Sequence, residues 1–176
     1  MKRQLWTIGH STHSLEDFVA LLSSFQISTL IDIRSLPGSR KFPQFDKEAL
    51  EISMPSIGIQ YFHFLDLGGR RKPVKDSKNT AWKLASFRGF ADYMDTAPFQ
   101  KSVQGLMRIA TMQRTVIMCA EVLWWRCHRS LIADYLKVRG WDVYHITGQG
   151  KTQEHPYTRP ARIINNQLSY EENADC

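Results

Sequence analysis

Five short apolar runs recur along the chain, LWTIG (5–9), TLIDI (29–33), IQYFHFLDL (59–67), TVIMC (115–119) and WDVYHI (141–146), with segments of helical periodicity between them. A run that is apolar at successive positions suits a strand buried on both faces, the condition of a parallel sheet covered by helices. Parallel neighbours cannot be joined by a tight hairpin; they need a crossover, and such crossovers are right-handed. The repeated order predicts an α/β fold: a single-domain, three-layer α/β/α, Rossmann-like architecture with a mostly parallel sheet of about five strands, plus a C-terminal hairpin. With 176 residues, 43% of them hydrophobic, the chain can bury one substantial core.

The intervening segments carry helix punctuation. Ser14 with Asp17 reads as a cap for a helix whose Phe18, Leu21, Leu22 and Phe25 form one apolar stripe. The loop RSLPGSRKFPQF (34–45) leads to Asp46, the N-cap of a short helix that should end before Pro55. The segment 68–79, GGRRKPVKDSKN, is basic and aperiodic and reads as an exposed loop. Two more helices follow, one with Phe87, Phe90, Ala91 and Met94 inward, the next starting at Thr96 and Pro98. A last helix begins near Cys127, buries Leu131, Ile132, Tyr135 and Leu136, and stops at Gly140. The polar tail 148–176 should wrap the domain, with a hairpin over 161–170 turning at Asn165 and Asn166.

No run reaches the roughly 18 apolar residues of a membrane span, and MKRQLWTIGHS turns polar too early for a signal peptide, so a cytoplasmic protein without a membrane partner is expected. Three cysteines, one of them residue 176, make no disulfide framework; in a reducing compartment Cys119 and Cys127 would be thiols or ligands. The net charge of +6 favours an anionic small molecule or nucleic acid as partner.

In open parallel sheets ligands bind beyond the carboxyl ends of the strands. There the five runs deliver Gly9, His10 and Ser11; Asp32, Arg34 and Ser35; His63, Asp66, Gly68, Gly69 and Arg70; Cys119 and Glu121; and His145. Asp32, between two isoleucines, must either be held by a neighbouring arginine or act as a tuned acid or base. His63 fits a hydrogen-bonded core residue as well as a ligand. Arg34, Arg40 and Lys41, set among Pro37, Gly38 and Pro43, suggest a shaped anion-binding loop over a merely solvated face, whereas Arg70 to Lys72 resemble ordinary wet surface. Trp124 and Trp125 would plug the core or offer a platform for a base.

Two tempting motifs fail. GQGKT (148–152) lacks the leading glycine of a phosphate loop and runs into His155 and Pro156 instead of a helix. Cys119 and Cys127 lack the paired short spacing of a structural zinc site, so no cofactor is expected, and a metal held through Cys119, Cys127 or a histidine is the disfavoured reading. The step from Cys119 to Arg126 is one residue longer than in tyrosine phosphatases and rhodaneses, where an arginine follows the cysteine by six. Cys127, His128 and Arg129 are expected in the first turn of the last helix, where free N–H groups favour an anion and depress a thiol pKa.

TIGHS (7–11), DIRSLPGSRKFPQF (32–45), YFHFLDLGG (61–69), MCAE with CHR (118–129) and HPYTRPARI (155–163) together resemble the domain of unknown function 488 family over nearly the whole chain. The resemblance implies an α/β fold without assigning an activity. Its characteristic residues map onto His10, Ser11, Asp32, Arg34, Ser39, Arg40, His63, Gly68, Gly69, Cys119, Glu121, Cys127, His128 and Arg129. VLWW, between Glu121 and Arg126, departs from the more polar loop of that family.

The leading expectation is an enzyme acting on a phosphorylated, nucleotide or nucleic-acid substrate in a basic cleft at the carboxyl edge. Asp32 or Glu121 would be general acid or base, assisted by His10 or His128, with Cys119 the nucleophile if covalent chemistry occurs. Ser11, Arg34, Ser39, Arg40, His63, Gly68, Gly69, Arg126 and Arg129 would bind the substrate or its anion. The alternatives are a nucleic-acid-binding module gripping phosphates, and a redox or metal-binding protein using Cys119 and Cys127.

Overall fold

A computed structural model describes residues 2–173, so Met1 and the end of the tail, residues 174–176 with Cys176, lie outside the described residues. The strands are β1 (Gln4–Gly9), β2 (Thr29–Asp32), β3 (Gln60–His63), β4 (Thr115–Cys119), β5 (Asp142–Gly148) and β6 (Lys151–Glu154), in one sheet ordered β3-β2-β4-β1-β5-β6. The first five are mutually parallel, and β6 folds back antiparallel on β5. Five α-helices, α1 (Leu15–Ser24), α2 (Lys47–Ser56), α3 (Ala85–Tyr93), α4 (Ala97–Met112) and α5 (Arg129–Lys137), accompany the sheet. A separate hairpin, β7 (Arg162–Ile164) and β8 (Gln167–Ser169), turns at Asn165 and Asn166, both with positive φ.

Alternation along the strands divides the interior in two. Trp6, Ile8, Leu30, Val116 and Met118 pack against Phe18 and Leu22 of α1 and Leu50 and Met54 of α2. Their neighbours Leu5, Ile31, Ile117 and Cys119 face the other way, against α3, α4 and α5. The fold is thus the Rossmann-like α/β/α architecture, because strands apolar on both faces need a helical layer on each side. The chain leaves β1 for one face, through α1, and leaves the adjacent β4 for the other, through α5. That divergence makes the carboxyl ends of β1 and β4 the switch point at which such sheets open a crevice.

Several local expectations are corrected. The third strand ends at His63, not residue 67: β3 is the sheet edge, and the chain coils through a 3-10 turn, Leu65–Leu67, that returns Leu67 to the core. Helix α2 runs past Pro55. A proline in a last turn removes only one helical bond, and the carbonyls of Met54 and Pro55 are taken by the N–H groups of Ile57, Gly58 and Ile59 at the reversal. Asp46 does not cap α2 with its side chain; its Oδ1 accepts the Ser39 N–H at 2.7 Å and so shapes the 34–45 loop instead. Helix α5 begins at Arg129, after a 3-10 turn over Trp124–Arg126, so Cys127 precedes it. The strand β6, KTQE, is exposed throughout and carried no apolar signal. Ser14 does cap α1, accepting from the Asp17 N–H at 3.0 Å, and Gly140 has φ +81°.

Candidate active site at the carboxyl edge

Two cavities open at the switch point, on either side of one peptide segment. The first, about 400 Å³, is lined by His10, Ser11, Arg34, Ser39, Glu121 and Val122 among others, and the second, about 460 Å³, by Arg70, Cys119, Glu121, Arg126, Cys127 and His128 among others. Ala120 and Glu121 belong to both walls. The loop after β4 can pass this close to β1 because residue 9 is glycine: a Cβ there would lie 1.9 Å from the Glu121 carbonyl oxygen.

The first cavity rests on a closed polar network. Asp32 is fully buried and is held by Arg34, two residues on, through Nε to Oδ1 at 2.9 Å and Nη2 to Oδ2 at 2.7 Å; Tyr61 donates its hydroxyl to Oδ2 at 2.6 Å. Arg34 also donates to the Phe45 carbonyl and to His10 Nε2. His10 is therefore neutral with its proton on Nδ1, donated to the Ser11 carbonyl at 2.9 Å, and it stacks on Phe45. Burial, foremost, lowers the His10 pKa, and burial followed by the Asp32 charge raises that of Tyr61. Arg34 and Asp32 form a bidentate pair spent on the wall of the cavity. Ser11, with φ +47°, and Ser39 line it; Arg40 is exposed on the framing loop; His63 donates Nε2–H to the Arg34 carbonyl at 2.7 Å and lines neither cavity.

The second cavity contains the sulfur chemistry. Cys119 ends β4 and Cys127 lies just before α5, yet their sulfurs are 2.7 Å apart. Arg129, 2% exposed, donates to Cys119 Sγ at 2.7 Å, to the Glu121 carbonyl, and to the Val122 carbonyl at 3.0 Å. No carboxylate pairs with this guanidinium among the described residues, and its Nε has no partner there. A buried cation without a counter-charge is expensive, so the two thiols are under pressure to supply one negative charge between them. Burial opposes ionisation of Cys127, but the hydrogen bond from Cys119, the Arg129 charge and the Arg129 backbone N–H outweigh it and bring this thiol down to about 7. Burial and the adjacent Cys127 push Cys119 well up.

His128 completes this wall. Its Nε2–H is shared by the carbonyls of Leu67 (2.9 Å) and Ile33 (3.1 Å), which leaves the Nδ1 lone pair facing Cys127 Sγ at 3.6 Å. Gly69 sits against that ring, where a Cβ would come within 3.0 Å of Nδ1, and Gly68 gives room to Ser35. Arg70, with φ +60°, and Arg126 are exposed cations lining the cavity, and the Glu121 carboxylate, also exposed, accepts the Leu123 N–H. Trp124 is buried, stacked on His145 at 4.5 Å, while Trp125 is 51% exposed.

Behind Trp124 runs a buried chain that sequence reading did not assemble. Thr7 Oγ1 donates to His145 Nδ1 (2.6 Å), His145 Nε2 to His155 Nδ1 (2.8 Å), and His155 Nε2 to Asp134 Oδ1 (2.8 Å). The available signal was an aspartate between Ala133 and Tyr135 on the apolar face of a helix, which demands partners from elsewhere. Ser86 and Phe87, also unforeseen, complete the sulfur cavity from the start of α3.

Burial holds His10, His128 and His145 below the ordinary 6.5, His145 down to about 2 with help from His155 and Arg129. The unfolded chain takes up these protons as pH falls through 6.5, whereas the folded chain does not, so stability is full above that pH and is lost progressively below it. At about pH 5.5 His145 alone should cost about 1 kcal/mol relative to neutral pH. Thermal unfolding followed by circular dichroism should show it; an unchanged midpoint between about pH 7.5 and 5.5 would contradict the assignment.

Among the described residues no group of three or more His, Cys, Asp or Glu could hold a metal ion, and no helix is long and apolar enough to cross a membrane. A family model described as Domain of unknown function DUF488 matches residues 14–136. No curated protein and no solved structure matches the chain.

Proposed function

The chain belongs to the domain of unknown function 488 family, and from its sulfur cavity we propose a cytoplasmic enzyme that acts on an anionic substrate, phosphorylated or nucleotide-like, with Cys127 as the attacking thiolate. The observation that carries this reading is the buried Arg129, whose guanidinium donates to Cys119 Sγ and whose backbone N–H meets Cys127 Sγ on a cavity wall, with no carboxylate paired to it among the described residues. Cys127 takes the nucleophile's role in place of Cys119, since it is the sulfur beside His128 Nδ1, and burial and the adjacent sulfur oppose ionisation of Cys119. His128 Nδ1 is oriented to accept the Cys127 proton. Arg70 and Arg126, whose charges face solvent, grip the anion, whereas Arg34 and Arg129 hold the walls. Glu121 is the exposed carboxylate available as general acid or base; Asp32 serves as an anchor for Arg34.

Alkylation by iodoacetamide across pH, mapped by mass spectrometry, tests the assignment. Cys127 should label with a midpoint near 7, inorganic phosphate or a nucleoside monophosphate should slow it, and Arg70→Ala with Arg126→Ala should remove that protection. A midpoint at or above the free-thiol value of about 8.5 would remove Cys127 as the nucleophile. One observation favours a nucleic-acid-binding module as second reading: Trp125, half exposed, adjoins Arg126 at the cavity. That module requires an affinity for single-stranded nucleic acid that falls steeply with salt; a flat response would dismiss it.

A further inference from the structure

We infer that Cys119 and Cys127 form a reversible dithiol–disulfide couple, so that the same cavity carries out thiol–disulfide exchange with a small-molecule or peptide disulfide. The inference rests on the proposed role of Cys127 as the thiolate of the site. Three independent observations support it. The two sulfurs are in contact although eight residues separate them in sequence. Both line one open cavity of about 460 Å³, within the usual range for a small-molecule pocket, so a second disulfide has a route to them. The buried Arg129 guanidinium gives one of the pair the charge that exchange chemistry needs.

The exchange balances as follows. The Cys127 thiolate attacks one sulfur of an incoming disulfide R–S–S–R′, forming a Cys127–S–S–R bond and releasing R′–S⁻. Cys119 then attacks the Cys127 sulfur; its proton passes to the leaving R–S⁻, and the Cys119–Cys127 disulfide forms as the Cys127–S–S–R bond breaks. Two electrons have passed from the pair to the substrate, and two molecules of a thiol such as glutathione return them by the reverse sequence, leaving as one disulfide. His128 Nδ1 lies close enough to Cys127 to hold a proton between the steps.

Arg129 sets the direction in which this couple leans. In the dithiol form the guanidinium touches Cys119 Sγ, 2.7 Å from the sulfur that carries the thiolate charge; in the disulfide form that charge is gone, and no carboxylate takes its place among the described residues. The reduced state is therefore the favoured one, and the oxidised pair is a ready oxidant. Oxidation also removes the attacking thiolate, so the activity proposed above is silent in the disulfide form.

Incubation of the full chain with oxidised glutathione, read by intact mass and peptide mapping, decides the matter. In wild type Cys119 and Cys127 should together lose two hydrogens and be joined, with no glutathione retained on either, whatever Cys176 carries. Cys119→Ser should instead keep glutathione on Cys127, and reduced glutathione should reverse both products. Wild type that retains glutathione on Cys127, or that never forms the internal disulfide while Cys127 still alkylates with a midpoint near 7, overturns the couple and leaves the proposed function standing. Cys127 that neither alkylates near neutral pH nor exchanges overturns both.

Discussion

Arg129→Met should raise the midpoint for Cys127 alkylation from near 7 to about 8.5 or above, and reduce its labelling rate at neutral pH about tenfold. Among the described residues the guanidinium is the one full positive charge in contact with the sulfur pair, and methionine keeps the bulk while removing the charge. The same substitution strips donors from the carbonyls of Glu121 and Val122, which should destabilise the protein by about 2 kcal/mol. Arg129→Lys separates these effects: it keeps a charge near the sulfurs but cannot span both carbonyls, so the midpoint should move little while stability still falls. A midpoint unchanged in Arg129→Met would show that the charge does not control the thiol.

Asp134→Ala should be the more damaging change to the fold. One carboxylate accepts hydrogen bonds from His155 Nε2, the Thr158 N–H, the Thr158 hydroxyl and the Tyr170 hydroxyl, all in the interior. Alanine leaves these donors without partners, and the loss should amount to about 4 kcal/mol, lowering the thermal midpoint by about 12 °C. Limited proteolysis should then cut within 155–170, because those four bonds tie the tail to α5. A loss below about 1 kcal/mol in urea unfolding would show that the tail is held by its apolar contacts, Tyr170 against Trp82 among them.

Those two residues also mark the boundary of what could be read without coordinates. Five parallel strands, the placement of the site at their carboxyl ends and the hairpin at Asn165 and Asn166 follow from apolar runs and turn residues, signals that act over a few positions. The strand β6 lacks such a signal because its four residues, KTQE, are all polar and exposed. Asp32 was recognisable as a residue in need of a partner, and Arg34 lies within two positions of it. The partners of Asp134 are 21 to 36 residues away, so their convergence depends on the whole fold. The contact of Cys127 with Cys119 was not legible for a related reason: the 3-10 turn over Trp124–Arg126, which spacing alone does not reveal, brings Cys127 back onto Cys119. Arg34 and Arg129 look like free cations in a sequence, and only their burial shows them to be internal fasteners.

The segment Ala120–Glu121 is a party wall between two chambers, and its position is not independent of the sulfurs. The guanidinium that touches Cys119 also grasps the carbonyls of Glu121 and Val122, the first of which lies directly over Gly9. A change of charge at the cysteines thus bears on the same peptide that a ligand beside His10 and Ser11 would touch. A ligand in one chamber that displaced this peptide would shift the ionisation in the other, and by linkage that ionisation would shift the ligand's affinity by the same factor.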